Sequence, residues 1–349
     1  MHLHALATAV PPAAFSQPQC WEIAQRSTVR QRLSKRSMLI LRTILRGNHG
    51  IDCRHFAVPE IDRIFDRDAD DLNATFRSEA PALAAQALNS ALAQAGLQPD
   101  RLDALLICTC TGYLCPGLTS YVAEQLGLRT DAFLQDLVGL GCGAAIPTLR
   151  AASHVLAAHP NATVACVAVE ICSAAFYLDD DPGVIISACL FGDGAAATIW
   201  RATPGPQGLR AFGFNTRHLP AERDKLRFEQ RDGKLRNLLD RSVPTLAAEA
   251  VRQLWADRGT APVSRVVLHP GGRDVIEAVA PVLEPHSLDA SSRTLARYGN
   301  MSSPSVLFVL EETLRSGRPD GDGDFWLVSF GAGFSAHSCR IGSSHAHPH

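Results

Sequence analysis

Two stretches of this chain repeat each other, and a duplicated helix-to-strand unit restricts the fold to layered α/β arrangements in which each half rebuilds one topology. LAAQALNSALAQAGLQP, Leu83 to Pro99, and LAAEAVRQLWADRGTAP, Leu246 to Pro262, align without gaps at an offset of 163 residues and share seven of seventeen positions. Four of the seven are Ala, so the shared Gly96/Gly259 stop and Pro99/Pro262 turn carry more of the weight. Each copy reads as a helix followed by an apolar strand, Leu102 to Cys108 after the first and Val263 to Leu268 after the second. Downstream, LGCGAAIPTLRAASHVL and YGNMSSPSVLFVLEETL also correspond: Gly, a polar residue, small residues, Pro, then a helix. In that alignment Cys142 and Asn300 occupy equivalent places. The break falls at Thr203 to Leu209, TPGPQGL, giving halves of 1–205 and 206–349.

A chain of 349 residues has room for two such halves and a large core. Apolar residues at 46% against 19% charged describe a compact globule and exclude a disordered or coiled-coil chain. Lys plus Arg number 33 against 35 Asp plus Glu, so no field of one sign is available to track a nucleic-acid backbone. The longest apolar runs fall far short of the roughly 20 residues of a membrane span. The amino terminus, MHLHALATAVPPAA, lacks a basic start followed by an apolar stretch, so the sequence predicts no export signal and a cytoplasmic location. Ten cysteines show no regular framework and are expected to be reduced. Cys108-x-Cys110 lies in the apolar LLICTCTG without a second pair at zinc spacing and reads as buried small residues, and no metal site is expected. The terminal HAHPH reads as a tail without function. From Arg26 to Arg46 seven basic residues occur without an acid, on segments of helical composition running from Gln17. They form either a solvated helix face or a landing strip for phosphates.

Three residues carry chemistry. Cys142, in Gly-Leu-Gly-Cys-Gly ahead of a helix, sits on a sharp turn where helix N–H dipoles and an imidazolium would favour the thiolate; the alternative is a buried structural thiol. His269 ends the strand VSRVVLHPGG, and strand ends in α/β proteins collect sites; a hydrogen-bonded core histidine is the competing reading. Asn300, in RYGNMSS, faces Cys142 across the join if the halves pack with pseudo-twofold symmetry, although an Asn before Ser-Ser is commonly a helix cap.

GLGCGAA, CLFGDGAAA, VLHPGG, YGNMSS and SFGAGF, in this order and spacing, resemble a bacterial type III polyketide synthase, of the chalcone and stilbene synthase-like family in the thiolase superfamily. The resemblance spans nearly the whole chain. It implies a five-layered αβαβα thiolase fold, a homodimer and a Cys142–His269–Asn300 triad. In such enzymes the Cys thiolate takes a starter acyl group from CoA. His and Asn then polarise malonyl-CoA, whose decarboxylation gives an enolate that attacks the acyl-enzyme. Extension repeats and the chain cyclises, with CoA thioesters as substrates and no further cofactor. Phe191 matches the family's aromatic gate, where an apolar ring discourages hydration of the malonyl carboxylate. Gly192-Asp193-Gly194 reads as a tight structural turn rather than a phosphate loop.

By the same resemblance Cys110, Cys115, Cys172, Ala175, Phe330 and Gly331 line the substrate pocket, Cys110 and Cys115 standing at pocket and dimer contact. Arg42, Arg46, Arg54, Gly271, Gly272 and Ser302 are the CoA-binding candidates. Ser329-Phe330-Gly331-Ala332-Gly333 departs from the family's frequent Gly-Phe-Gly-Pro-Gly loop, so the cyclisation cavity is expected to be shaped differently. The small pocket residues point to a long fatty acyl starter and an alkylresorcinol or alkylpyrone product. A dihydroxyphenylacetate-type synthase using only malonyl-CoA is the alternative, as is a ketoacyl carrier-protein synthase making one condensation. A Cys-His-Asn hydrolase would release no carbon dioxide, and a silent scaffold relative would lack one of the three residues.

Overall fold

The computed structural model describes residues 1–58, 60–176, 178–317 and 323–343. The terminal HAHPH lies outside them. The first half runs β1 (His2–Ala9), β2 (Ala14–Ser16), α1 (Gln17–Arg26), α2 (Val29–Arg32), α3 (Lys35–Arg46), β3 (Cys53–His55), α4 (Ala69–Ala95), β4 (Ala104–Thr109), α5 (Leu118–Leu126), β5 (Phe133–Val138), α6 (Ala145–Ala158), β6 (Val164–Glu170), α7 (Pro182–Leu190) and β7 (Gly194–Arg201). The second runs β8 (Leu209–His218), β9 (Leu226–Arg231), β10 (Lys234–Leu239), α8 (Val243–Ala256), β11 (Val263–Leu268), α9 (Arg273–Leu283), α10 (Asp289–Tyr298), α11 (Ser305–Arg315), β12 (Asp324–Gly331) and β13 (Ser335–Ser343).

The repeat seen in the sequence is a repeat of topology. Among the described residues nine strands are ordered β11-β12-β13-β8-β1-β7-β6-β4-β5. Read outward from the centre, β8-β13-β12-β11 copies β1-β7-β6-β4: two antiparallel pairings and then a parallel one in each half. The halves are joined through the single pair His2–Arg210, and β5 extends the first half alone.

Alternation along the strands separates three cores. On the outer face of the first half, Leu105, Ile107, Val167 and Ile199 pack under Ala84, Leu88 and Ala91 of α4. Between the halves, Leu106 and Cys166 from one side and Val267, Leu327 and Ile341 from the other enclose Ile146 and Leu149 of α6 with Val306 and Leu310 of α11. Outside the second half, Val266, Leu268 and Val328 meet Val251 and Leu254 of α8 and Val279 of α9. The result is α, β, α, β, α in five layers, each fully buried aliphatic side chain contributing roughly 1.5–3 kcal/mol. Strands buried on both faces explain the continuous apolar runs that the sequence shows.

The Gln17 to Arg46 stretch, of helical composition, forms three helices: Ser16 caps the first and Ser34 the third, accepting from Gln19 N and Ser37 N, and the second starts after Thr28 without a side-chain cap. The alanine-rich helix starts at Ala69, well ahead of the repeated stretch from Leu83: Asp68 caps it, accepting from Asp71 N at 2.8 Å, and Pro81 lies inside it. Its end at Gly96, in the left-handed conformation, is as expected. The helices α1 and α3 pack with Phe56, Phe176 and Phe191 in a fourth core that roofs the site.

Candidate active site

The positions that the duplication aligns come together. Cys142 lies in a single 3₁₀ turn, Gly141–Gly143, immediately before α6. Gly141 has φ +56°, and a Cβ there would come within 2.9 Å of Ala332 N, so only glycine lets the chain turn this sharply against β12. Ser329 Oγ donates to Gly143 O at 3.1 Å and ties the turn to β12. His269 follows β11 and is held by its own N–H to Val328 O at 2.9 Å. Asn300 follows α10: its N–H donates to Leu190 O at 3.0 Å, and Gly192 N–H donates to Asn300 O at 3.0 Å. These two bonds set Phe191 beside Asn300 at the end of α7.

Cys142, His269, Asn300, Phe191, Phe330, Gly271 and Gly272 all line one cavity of about 680 Å³. Phe330 meets the His269 ring edge-on, 5.2 Å between centroids. Asn300 Oδ1 accepts from Ser302 N at 2.8 Å, and Nδ2 donates to Gly271 O at 3.1 Å. The carboxamide is thereby fixed, with its second Nδ2 hydrogen left for the cavity. Burial of His269 pushes its imidazole down to about 3, and its Nδ1 has no partner among the described residues.

The expectation of a resting thiolate is corrected. Burial is the largest influence on Cys142 and pushes the thiol up to about 12; the Ser302 hydroxyl, donating to Sγ at 3.2 Å, pulls the other way, and the Glu170 carboxylate adds to the rise. Dehydration outweighs the helix dipole because the sulfur is enclosed. Thiol and imidazole are therefore both neutral before substrate enters.

Ser302 was expected at CoA and instead faces the nucleophile. It holds φ +61°, a left-handed conformation costly for a non-glycine residue, and its hydroxyl lies 3.2 Å from both Cys142 Sγ and Cys110 Sγ. Behind it the buried Glu170 accepts from Ser303 Oγ, Cys110 N, Thr111 N and Thr111 Oγ1. Arg54 is also corrected: it is fully buried, donating to Ala188 O at 2.7 Å, Phe191 O at 2.8 Å and Gln17 Oε1 at 3.0 Å, so it holds the end of α7 and is out of reach of a phosphate. Arg42 and Arg46 are exposed on α3, whose Ile44 lines the cavity. Arg241, Arg273 and His49 line its wall together with Asp181, Asp224 and Asp240, and no sequence signal marked them. Gly192-Asp193-Gly194 is a structural turn: the Asp193 carboxylate accepts from Ser173 N, Ser173 Oγ and Ala57 N, and burial pushes it up to about 6.

Cys172, Ala175, Phe191 and Ser302 line a second, tight cleft of about 20 Å³, walled further by Thr111, Phe176, Phe228 and Asn237. Cys110 reaches this region through Ser302. Cys115 lines neither space; it is exposed on the loop beside β5, where a Cβ on the nearby Gly117 would strike Asp136. All ten cysteines are free, and Cys108 is buried in the central core. Among the described residues no three or more His, Cys, Asp or Glu gather as a metal site, and no helix is long and apolar enough to cross a membrane.

The structure is thus a duplicated five-layered α/β fold with Cys142, His269 and Asn300 on one cavity. Residues 15–207 match the family model for FAE1/type III polyketide synthase-like proteins, and residues 218–341 match the carboxy-terminal domain of chalcone and stilbene synthases. The chain belongs to the type III polyketide synthases. It is 32% identical over 346 residues to a 1,3,6,8-tetrahydroxynaphthalene synthase of Streptomyces peucetius subsp. caesius, covering 95% of this chain and 90% of the relative. A 3,5-dihydroxyphenylacetyl-CoA synthase of Streptomyces toyocaensis is 30% identical over 290 residues, 77% of this chain and 74% of that one. The crystal structure of the tetrahydroxynaphthalene synthase of Streptomyces coelicolor A3(2) shares the fold, with a TM-score of 0.86 at 24% identity over 98% and 99% of the two chains. The chain is thus an acyltransferase that forms carbon–carbon bonds.

Proposed function

We propose that this synthase condenses malonyl-CoA repeatedly at Cys142 and that malonyl-CoA also supplies the starter. The observation that carries the condensation is the meeting of Cys142, His269 and Asn300 on one cavity. In the first step His269 takes the Cys142 proton as the thiol attacks the starter thioester; the C–S bond to CoA breaks, and the CoA sulfur leaves with that proton. A neutral imidazole is the form that can accept it, which burial secures. Next, the thioester oxygen of malonyl-CoA accepts from His269 and from the free Nδ2 hydrogen of Asn300. Loss of carbon dioxide leaves an enolate whose charge those donors stabilise. The enolate carbon attacks the Cys142 thioester, a C–C bond forms, and the sulfur is released. Phe191 closes an apolar wall over the departing carboxylate. CoA thioesters are the substrates, and this scheme calls on no resident cofactor. Arg241 and Arg273 on the cavity wall, and Arg42 and Arg46 exposed on α3, supply cations for the CoA phosphates.

The starter assignment moves away from a long fatty acyl group. The tight cleft beside Phe191 has polar walls from Thr111, Ser187, Asn237 and Ser302, which suit a chain carrying oxygen on alternate carbons. The names of the relatives fit this: tetrahydroxynaphthalene and dihydroxyphenylacetyl-CoA carry oxygen on alternate ring carbons and no long alkyl group. The second chain of a homodimer fits β5, the edge strand of the sheet, where Phe133 and Val138 are more than half exposed; Tyr113 and Cys115 are exposed on the loop between β4 and α5.

The test is incubation with malonyl-CoA alone and with a graded series of acyl-CoA starters, followed by product mass analysis. An oxygenated aromatic from malonyl-CoA alone supports malonyl priming. Products only when a long acyl-CoA is present would contradict it.

A further inference from the structure

The hairpin β9–β10 forms the outer wall of the tight cleft, and it places one polar side chain there without a partner. Phe228 and Asn237 face each other across the hairpin as a cross-strand pair, and both line the cleft with Phe191 and Ser302. Asn237 is 8% exposed, and its Oδ1 accepts no hydrogen bond among the described residues. Its chain neighbour Arg236 makes ion pairs with Asp179 at 3.0 Å, Asp181 at 3.2 Å and Glu229 at 3.0 Å. Because successive strand residues point to opposite faces, that latch fixes the hairpin against the start of α7 while Asn237 stays on the cleft side.

A buried carboxamide oxygen with no donor is unfavourable, and an apolar residue of the same shape would avoid the cost. We infer that Asn237 is a specificity-determining residue whose Oδ1 accepts a hydrogen bond from an enol or phenol hydroxyl of the extending polyketide. A chain built from malonyl units alternates carbonyl and methylene carbons, so its enol tautomers present such a donor at every second carbon. An aliphatic chain presents none. A site built to hydrogen-bond a hydroxyl discriminates strongly against a ligand that lacks it. The inference rests on the malonyl-primed reading and adds the group that reads the extended chain.

The experiment uses the full-length enzyme with malonyl-CoA, comparing wild type, Asn237→Leu and Asn237→Asp, with carbon dioxide release and product chain length read together. Leu keeps the volume and removes the acceptor; Asp restores an oxygen at the same place. In the Leu variant the fraction of decarboxylations ending in the longest product falls roughly tenfold and short lactones replace it, the size expected for one lost hydrogen bond at a buried site. Asp recovers most of the wild-type profile. A Leu variant with the wild-type product ratio would overturn the inference, as would an Asp variant no better than Leu, which would make the effect one of packing. A wild-type enzyme that releases carbon dioxide but extends only acyl-CoA starters would remove the malonyl-primed reading itself. Unchanged products in Asn237→Leu beside normal malonyl priming would remove only the role of Asn237.

Discussion

Gly331 ends β12 directly against the turn that carries Cys142, and replacing it with alanine separates the demands of catalysis from those of folding. A Cβ at this position would lie 2.5 Å from Gly143 N, 2.7 Å from Leu140 O and 2.9 Å from Cys142 N. All three atoms are backbone, so no flexible side chain can swing aside. Ordinary contact begins at 3.4 Å, and the turn must retreat by roughly 0.9 Å or β12 must give way by as much. Overpacking of this kind costs about 1–3 kcal/mol of stability, while a displacement near 1 Å at a reacting atom costs roughly 10²-fold in rate. Gly331→Ala is therefore expected to fold, to melt a few degrees lower, and to lose about two orders of magnitude in kcat for malonyl-CoA decarboxylation and condensation. Gly259→Ala is the control. It lies at φ +82° with nothing within 4 Å, so it costs roughly 1 kcal/mol or more through the backbone alone and leaves kcat unchanged. Thermal melting beside initial rates of carbon dioxide release distinguishes the two. A Gly331→Ala enzyme with wild-type kcat would refute the claim that β12 pins the nucleophile.

Ser302→Ala removes the hydroxyl that holds the Cys142 thiol down, so the thiol rises further and its alkylation by iodoacetamide at pH 8 slows roughly tenfold or more, while an unchanged rate would detach Ser302 from the sulfur. Arg54→Met leaves Ala188 O and Phe191 O without a donor and is expected to lower stability by about 2–4 kcal/mol in denaturant unfolding; a loss below 1 kcal/mol would mean the carbonyls find other partners. His337, pushed down to about 4 by burial first and by His218 and Arg150 next, is neutral in the fold and binds a proton more readily when unfolded. Its contribution is complete above the unfolded value near 6.5 and is lost as pH falls towards 4, about 2 kcal/mol between pH 7 and 5. His337→Asn should flatten that part of the stability curve, and an unaltered slope would contradict the assignment.

The duplication was legible because its signals are local. A Gly stop, a Pro turn and a small-residue run before a helix depend on neighbours in the chain, and they were enough to align Cys142 with Asn300. His269 was legible for a similar reason, since HPGG marks the end of a strand. Residues whose role is set by another element were not. Arg54 carries the charge of a phosphate ligand, but β3 delivers it beneath the end of α7, where carbonyls consume it. Ser302 was expected at CoA, but its left-handed backbone turns the hydroxyl to the sulfur. Asn237 belongs to a hairpin with no motif, and only the packing of β10 on α7 brings it to the cleft. The thiolate expectation failed on magnitude: a helix dipole contributes at most about 2 kcal/mol, less than the cost of dehydrating a buried sulfur anion.

The assembly of sulfur, imidazole and carboxamide into one condensing centre is tested most directly by intact-protein mass spectrometry after a short incubation with malonyl-CoA. Wild-type enzyme should carry an acyl adduct that maps to Cys142, and Cys142→Ala should carry none. An adduct of equal yield in the variant, or one mapping to Cys110 or Cys172 in the wild type, would contradict the assignment of Cys142 as the residue that holds the growing chain.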